Sequence, residues 1–290
     1  MTRNSGISVI RTVPKLRDRV SAWRSRNQRI GLVPTMGALH EGHLALVKRA
    51  LETCNRVVVS LFVNPTQFGE NEDLSTYPRD EAADRAILGE LGVNVLYAPT
   101  MEEMYPQGLV TSVRVPELAE GLCGAFRPGH FAGVATVVTK LFSQSLPDMA
   151  VFGEKDYQQL QVIRGLVRDL DIPVHIEAVA TVREADGLAL SSRNAYLSPA
   201  ERAIAPTLFR ALIQAAAAIE AGGDVRDLIE EGERALLEGG FSKVDYFEAC
   251  DALTLKAVSD AHAPARILAA AHLGTTRLID NVAVAAGAGD

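Results

Sequence analysis

The stretch that most limits what this chain can fold into is residues 29–64, RIGLVPTMGALHEGHLALVKRALETCNRVVVSLFVN. Arg29–Pro34 and Val57–Asn64 are apolar runs of strand length, and such runs predict buried strands. Between them, from about His43 to Cys54, apolar residues recur at Leu44, Val47, Leu51 and Cys54, the spacing of an amphipathic helix. Strand, helix and strand in that order form one βαβ unit, since parallel strands need a helical crossover. The turn after the first strand carries His40 and His43, three residues apart, where side chains share a helix face. A helix N-terminus offers N–H groups and partial positive charge. Two imidazoles at such a place suit a phosphate. The rival readings are a satisfied core histidine or helix cap for one of the two, and a zinc site for the pair. Zinc needs a third ligand, and no nearby HExxH or cysteine cluster offers one.

The rest of the chain extends this pattern. Residues 7–13 predict a short strand and Pro14–Arg26 a helix with Leu16, Val20 and Trp23 on one face. Pro65–Pro78 reads as a long surface loop at a strand's carboxyl end, its acids Glu70, Glu72 and Asp73 forming a solvated face. Arg79–Leu91 predicts a helix, Val93–Ala98 a strand, 109–115 a flanking strand, and the glycine-rich Glu120–Gly133 an irregular segment. Val134–Phe142 predicts a helix and Met149–Gly153 a strand. Tyr157–Leu170 predicts a helix with Leu160, Ile163, Leu166, Val167 and Leu170 inward, and Val174–Val182 a strand. Alternating strands and helices imply a doubly wound parallel sheet. After a loop at Asp186–Asn194, Ser198-Pro199-Ala200-Glu201 is a capping box opening a long helix, Pro199–Ala221, bent at Pro206. A helix at Val225–Leu237 and β segments at Lys243–Cys250, Ala265–Leu273 and Thr276–Val284 follow. The expected class is α/β: a Rossmann-like doubly wound sheet over residues 1–182 with a smaller C-terminal α+β domain over 183–290 and a mobile tail.

Composition removes several classes. The net charge of −7 gives no general attraction to nucleic acid. The first twenty residues lack the apolar core of a signal peptide, and no apolar run, Ala211–Ala221 included, reaches the length of a membrane span. Three scattered cysteines, Cys54, Cys123 and Cys250, argue against a disulfide framework and suit a reducing, cytoplasmic setting.

Further clusters fall where a sheet-edge site is expected. Gly153-Glu154-Lys155-Asp156 follows a strand and opens a helix. Lys155 is a candidate phosphate ligand and Asp156 a candidate for ribose or metal, or else a plain helix-start acid. Gln159, one turn on, can reach a pocket there. Ser191-Ser192-Arg193 offers two hydroxyls and an Arg fork to a triphosphate, or is a polar linker. Gln67 combines donors and acceptors for a small polar substrate, and Arg127-Pro128-Gly129-His130 is a turn or a pocket floor.

The segments PTMGALHEGH, SLFVNPTQF, FRPGHFAGVATVV, FGEKDYQQL, LSSRNAYLSPAER and TRLIDN, in that order, resemble those of the pantoate–β-alanine ligase (pantothenate synthetase) family within the HxGH nucleotidyltransferases. The resemblance runs from about residue 29 to 284. It implies a C-terminal domain that closes over ATP, a homodimer, and Mg²⁺- and ATP-dependent joining of (R)-pantoate to β-alanine through a pantoyl adenylate. It implies ATP contacts from Met36, Gly37, Ala38, Leu39, His40, Glu41, Gly42 and His43, from Gly153, Glu154, Lys155 and Asp156, and from Val182, Leu190, Ser191, Ser192 and Arg193. Leu190 stands where some relatives have Met. Gln67 and Gln159 are implied to bind pantoate, and His43, His40 and Lys155 to be catalytic, with His43 the acid. Metal ligands stay open between Asp84 and Asp156. Alternatives are another HxGH nucleotidyltransferase that keeps the nucleotide in its product, and a nucleotide-binding module without turnover.

Overall fold

The computed structural model describes residues 7–70, 72–106, 110–260 and 264–285. The chain divides into two compact units, Met1–Glu154 with Val162–Ala180, and Lys155–Gln161 with Thr181–Asp290.

The first unit carries β1 (Ser8–Ile10), α1 (Val13–Arg24), β2 (Ile30–Thr35), α2 (Glu41–Thr53), β3 (Arg56–Leu61), α3 (Glu81–Glu90) and β4 (Val95–Tyr97). Short helices α4 (Met101–Met104), α5 (Pro116–Ala119) and α6 (Cys123–Phe126) lead to α7 (His130–Ser145), β5 (Met149–Gly153), α8 (Tyr157–Asp169) and β6 (His175–Val179). All six strands are parallel, in the order β1-β4-β3-β2-β5-β6. From β2 the chain winds outward through β3 and β4, and from β5 it winds the other way to β6. The reversal falls between β2 and β5, whose Gly31 and Leu32 pair with Met149 and Ala150. In doubly wound sheets the crevice beyond such a reversal is where ligands bind.

Both sheet faces are covered, which is why the strands read as unbroken apolar runs. Val33, Val57, Val59, Leu96 and Val151 form one core with Leu46, Val47 and Ala50 of α2 and Leu88 of α3. Ile30 and Leu32, one residue out of phase with Val33, are wholly buried too, and α7 packs against β2.

The second unit includes Lys155–Gln161, so the first residues of α8, through Gln161, belong to it and the rest of α8 to the first unit. The second unit also holds α9 (Pro199–Ile204), α10 (Thr207–Glu220) and α11 (Val225–Glu238) against an antiparallel sheet of β7 (Lys243–Asp251), β8 (Ala265–Leu273) and β9 (Thr276–Val284). Leu208, Leu212, Ile219, Leu236, Phe247 and Ile267 are its core.

Several expected elements differ. Residues 110–115 form no strand; Leu109 lies outside the described residues, and the Val113 N–H is satisfied by the Thr136 hydroxyl at 2.9 Å. The segment expected to be irregular up to Gly133 contains α6 and the first turn of α7. The long helix from Pro199 is two helices, because Pro206 has no N–H to continue the ladder. Pro199–Glu220 taken whole is long and apolar enough to cross a membrane, contrary to the expectation from single runs, yet the buried face of α10 lies in the second core. The strand expected over residues 7–13 covers only Ser8–Ile10, and the one expected to Val182 stops at Val179. Leu170, expected inward, follows the end of α8 and is 52% exposed. The tail beyond Ala285 lies outside the described residues.

Gly133 explains why α7 was hidden by its own glycines. A Cβ there would sit 2.4 Å from the Thr66 carbonyl oxygen and 2.7 Å from the Gln67 nitrogen. The glycine lets a helix approach the loop after β3 backbone to backbone. Gly133→Ala is expected to destabilise the protein by about 1–3 kcal/mol through overpacking, measured as a lower urea midpoint at unchanged slope.

Candidate active site

The loop leaving β2 is held by a buried carboxylate. Gly37 and Ala38 both have positive φ, 91° and 52°, and a Cβ on Gly37 would meet the Asp84 carboxylate at 3.1 Å. Asp84, on α3 and 3% exposed, accepts the Ala38 N–H at 3.0 Å and the Leu39 N–H at 2.9 Å. Burial pushes its pKa up, and the two N–H groups only partly offset this. The left-handed conformation at Ala38 costs energy, and the two bonds to Asp84 compensate it.

The loop delivers His40 as the residue capping α2. Its Nδ1 accepts the Gly42 N–H at 3.2 Å, and the His43 Nδ1 accepts the His40 N–H at 3.4 Å. This is a capping box in which imidazoles replace the usual hydroxyl and carboxylate. The helix therefore begins at Glu41, two residues before its expected start. The two rings stand 4.1 Å apart, centroid to centroid, tilted by 40°. With Nδ1 an acceptor in each, the proton of the neutral ring sits on Nε2.

Gln67 lies in the same unit, on a 3-10 turn, Pro65–Gln67, after β3. Asn64, 1% exposed, organises that turn: its amide donates to the Gln67 Oε1 at 2.9 Å and to the Gly133 carbonyl at 3.2 Å. Its Oδ1 accepts from the Thr66 hydroxyl at 2.9 Å and the Tyr105 hydroxyl at 2.7 Å. The Gln67 Nε2 donates to the Met36 Sδ at 3.4 Å, so the structure joins the Gln67 and Met36–His43 segments.

Arg127 and His130, left open as turn or floor, grip the Gln67 main chain. The His130 Nδ1 lies 2.8 Å from the Gln67 carbonyl oxygen and must donate to it. Its Nε2 is then the acceptor for the Arg127 Nη1, 3.1 Å away. Arg127 also donates to the Gln67 carbonyl at 3.3 Å and pairs with Glu72. Glu72 is therefore no solvated-face acid. Burial raises its pKa, but the Arg127 hydrogen bond and charge outweigh this and bring it below the usual range.

Gly153 ends β5 beside α2, where a Cβ would lie 3.9 Å from Leu46. Lys155, Asp156 and Gln159 belong to the second unit, as do Val182, Leu190, Ser191, Ser192 and Arg193. Lys155 and Asp156 sit in a 3-10 turn, Glu154–Asp156. The Leu190 N–H donates to the Val182 carbonyl at 3.0 Å, and the Ser191 Oγ caps the next 3-10 turn by accepting the Arg193 N–H at 3.2 Å. Sequence reasoning missed Tyr105 and the support that Arg127 and His130 give Gln67; all are distant in sequence from what they hold.

Among the described residues no three His, Cys, Asp or Glu side chains converge to hold a metal. Cys54, Cys123 and Cys250 are not in disulfides.

A family model described as pantoate–β-alanine ligase matches residues 8–283. The chain belongs to that family. It is 57% identical to the pantothenate synthetase of Paramagnetospirillum magneticum over 97% of this chain and 99% of that one. It is 55% identical to that of Rhodospirillum rubrum over 96% and 99%. Among solved structures, a pantothenate synthetase from Thermus thermophilus superposes with a TM-score of 0.91 at 49% identity, covering 96% of this chain and 100% of that chain. A pantoate–β-alanine ligase from Francisella tularensis, described as complexed with beta-gamma ATP and beta-alanine, superposes with a TM-score of 0.80 at 35% identity, covering 95% and 97%. The chain is thus a ligase with a Rossmann-like sheet, as its motifs implied.

In a ligase of this family the loop held by Asp84 is expected to matter for turnover as well as stability. Asp84→Asn turns one acceptor into a donor facing a backbone N–H. The expected outcome is a loss of about 1–3 kcal/mol in unfolding free energy, together with lower turnover in the same sample.

Proposed function

We propose that this ligase joins (R)-pantoate to β-alanine in two steps on the residues described above. A free carboxylate is a poor acylating agent because its leaving group is poor. In the first step a pantoate carboxylate oxygen attacks the α-phosphorus of ATP, the bond from that phosphorus to the bridging oxygen breaks, and pyrophosphate leaves. In the second step the β-alanine amine attacks the pantoyl carbonyl, the acyl–oxygen bond breaks, a proton leaves the nitrogen, and AMP departs with pantothenate formed.

The observation that carries the reading is the imidazole capping box. It fixes His40 and His43 at a helix start with Nε2 as the donor on each ring. Donors held in advance where negative charge builds on phosphoryl and leaving-group oxygens lower the barrier without reorganising. His43 is assigned as the acid and His40 as its companion donor. Met36, Gly37, Ala38, Leu39, Glu41 and Gly42 form the rest of that ATP segment. Lys155, Ser191, Ser192 and Arg193 are assigned to the phosphates, with Gly153, Glu154, Asp156, Val182 and Leu190 lining the nucleotide.

Gln67 is assigned to pantoate. Its Nε2–H spends itself on a thioether sulfur, a weak acceptor, and a substrate oxygen is the better partner in exchange. Gln159 is assigned to pantoate as well. Mg²⁺ bound to the triphosphate would supply charge neutralisation, with Asp84 or Asp156 the candidate carboxylate, and Asp84 already has both oxygens engaged by the Ala38 and Leu39 N–H groups. The reading also includes a homodimer working in the cytoplasm. The Francisella relative's complex with ATP and β-alanine supports two of the three substrates.

The test is an assay of AMP, pyrophosphate and pantothenate with each substrate omitted in turn. Pyrophosphate is expected from ATP and pantoate together, and AMP with pantothenate only once β-alanine is added. A product that retains the nucleotide would overturn the reading. His43→Ala and Lys155→Ala are each expected to slow pyrophosphate release by ~10²–10³-fold while leaving the circular dichroism spectrum intact. Near-normal turnover in either variant would remove that residue from the assignment.

A further inference from the structure

The motif TRLIDN, residues 276–281, ends in two buried polar residues that the ligation chemistry leaves unused. Asp280 and Asn281 are each 4% exposed, on β9. Buried polar side chains of this kind are costly unless they are bonded, and both are.

The Asn281 amide donates to the Lys155 carbonyl oxygen at 2.9 Å. Its Oδ1 accepts from Arg266 on β8, and the Arg266 guanidinium carbon lies over the Tyr157 ring, 3.8 Å from its centre. The Tyr157 hydroxyl donates in turn to the Ala252 carbonyl at 2.8 Å. The segment Lys155–Tyr157 is therefore fastened to the antiparallel sheet at both ends.

Asp280 fastens a second segment. Its carboxylate takes the Arg183 guanidinium in a two-pronged pair at 2.5 and 2.9 Å, and its Oδ1 also accepts the Asn281 N–H at 2.7 Å. Arg183 stacks on Phe209 at 3.8 Å and donates to the Gly187 carbonyl at 3.1 Å. Its backbone bridges to Ala189, and the Glu184 N–H reaches the Leu188 carbonyl at 2.8 Å. Gly187, with φ of 94°, makes the turn; a Cβ there would meet the Phe209 ring at 2.4 Å. Arg183 thus holds a small hairpin whose far end leads into Leu190–Arg193.

We propose that Asp280 and Asn281 are positioning residues that lock Lys155 and the Leu190–Arg193 segment to one frame, so that the cationic and hydroxyl groups meet the phosphates as a preset array. The inference rests on the assignment of Lys155 and Ser191–Arg193 to the phosphates. Asn281 acts through the Lys155 main chain and Asp280 through Arg183. Neither touches substrate. A shift of about 1 Å in such a group can cost on the order of 100-fold in rate.

The test is a double-mutant cycle on the full-length enzyme, read as pyrophosphate release with separate KM values for ATP and β-alanine. Asn281→Asp keeps the acceptor for Arg266 but replaces the donor to Lys155 with an acceptor that repels the Lys155 carbonyl; Asn281→Ala removes both bonds without adding a repulsion. Each is expected to lower kcat/KM for ATP by about tenfold or more, with the KM for β-alanine unchanged. In a Lys155→Ala background the same substitution is expected to cost less than about twofold, because coupled residues are not additive. Full additivity beside a crippled Lys155→Ala overturns the inference alone. So does a lower melting temperature with normal kcat/KM per folded molecule. A Lys155→Ala enzyme of normal activity overturns the assignment of Lys155 and this inference with it.

Discussion

The N-terminal site depends on two reciprocal hydrogen bonds at the start of α2. The His40 Nδ1 takes the Gly42 N–H, and the His43 Nδ1 takes the His40 N–H. A helix start must satisfy N–H groups that have no partner inside the helix, and a side chain that does so typically stabilises it by about 1 kcal/mol. Here the groups that meet this structural need are the groups proposed to carry the chemistry. The bonds that begin the helix also set each ring's rotamer and tautomer. Orientation at the site is thus a by-product of helix formation rather than a separate requirement.

The sheet puts that helix start where it can be used. β2 and β5 are neighbours, and the chain leaves them in opposite directions across the sheet. Loops on a rigid sheet edge can then be shaped for a ligand. The loop after β2 takes a left-handed turn at Gly37 and Ala38, and the crossover helix α3 supplies the carboxylate that holds it. A conformation that is poor for an isolated alanine is maintained by a residue 46 positions away.

The parts legible in the sequence were those with local causes. The βαβ unit could be read from apolar runs and helical periodicity, and the histidines from their spacing. The capping box at Ser198 and Glu201 has its expected bonds. The parts not legible were those whose cause is far off in the chain. Gly133 looks like a loop former, because the reason for it is the Thr66 carbonyl on another element. Glu72 looks like a solvated acid until Arg127 arrives beside it. Residues 110–115 have strand-like composition but form no strand, and the Val113 N–H is satisfied by a helix side chain instead.

The supports share one feature that explains both their strength and their obscurity. Asp84 grips the N–H groups of Ala38 and Leu39, His130 and Arg127 grip the carbonyl of Gln67, and Asn281 grips the carbonyl of Lys155. Each holds main chain. A contact to the main chain fixes where a residue stands without occupying its side-chain donors. An amide, an imidazole or an ammonium can then be positioned and still serve a substrate. Each such bond contributes only about 0.5–1.5 kcal/mol net, so the supports act mainly by narrowing geometry rather than by raising stability. Because a main-chain carbonyl is the same for every residue type, the supported position carries no sequence mark of its partner. Such partners, 46, 63 and 126 residues from what they hold, emerge only from the fold.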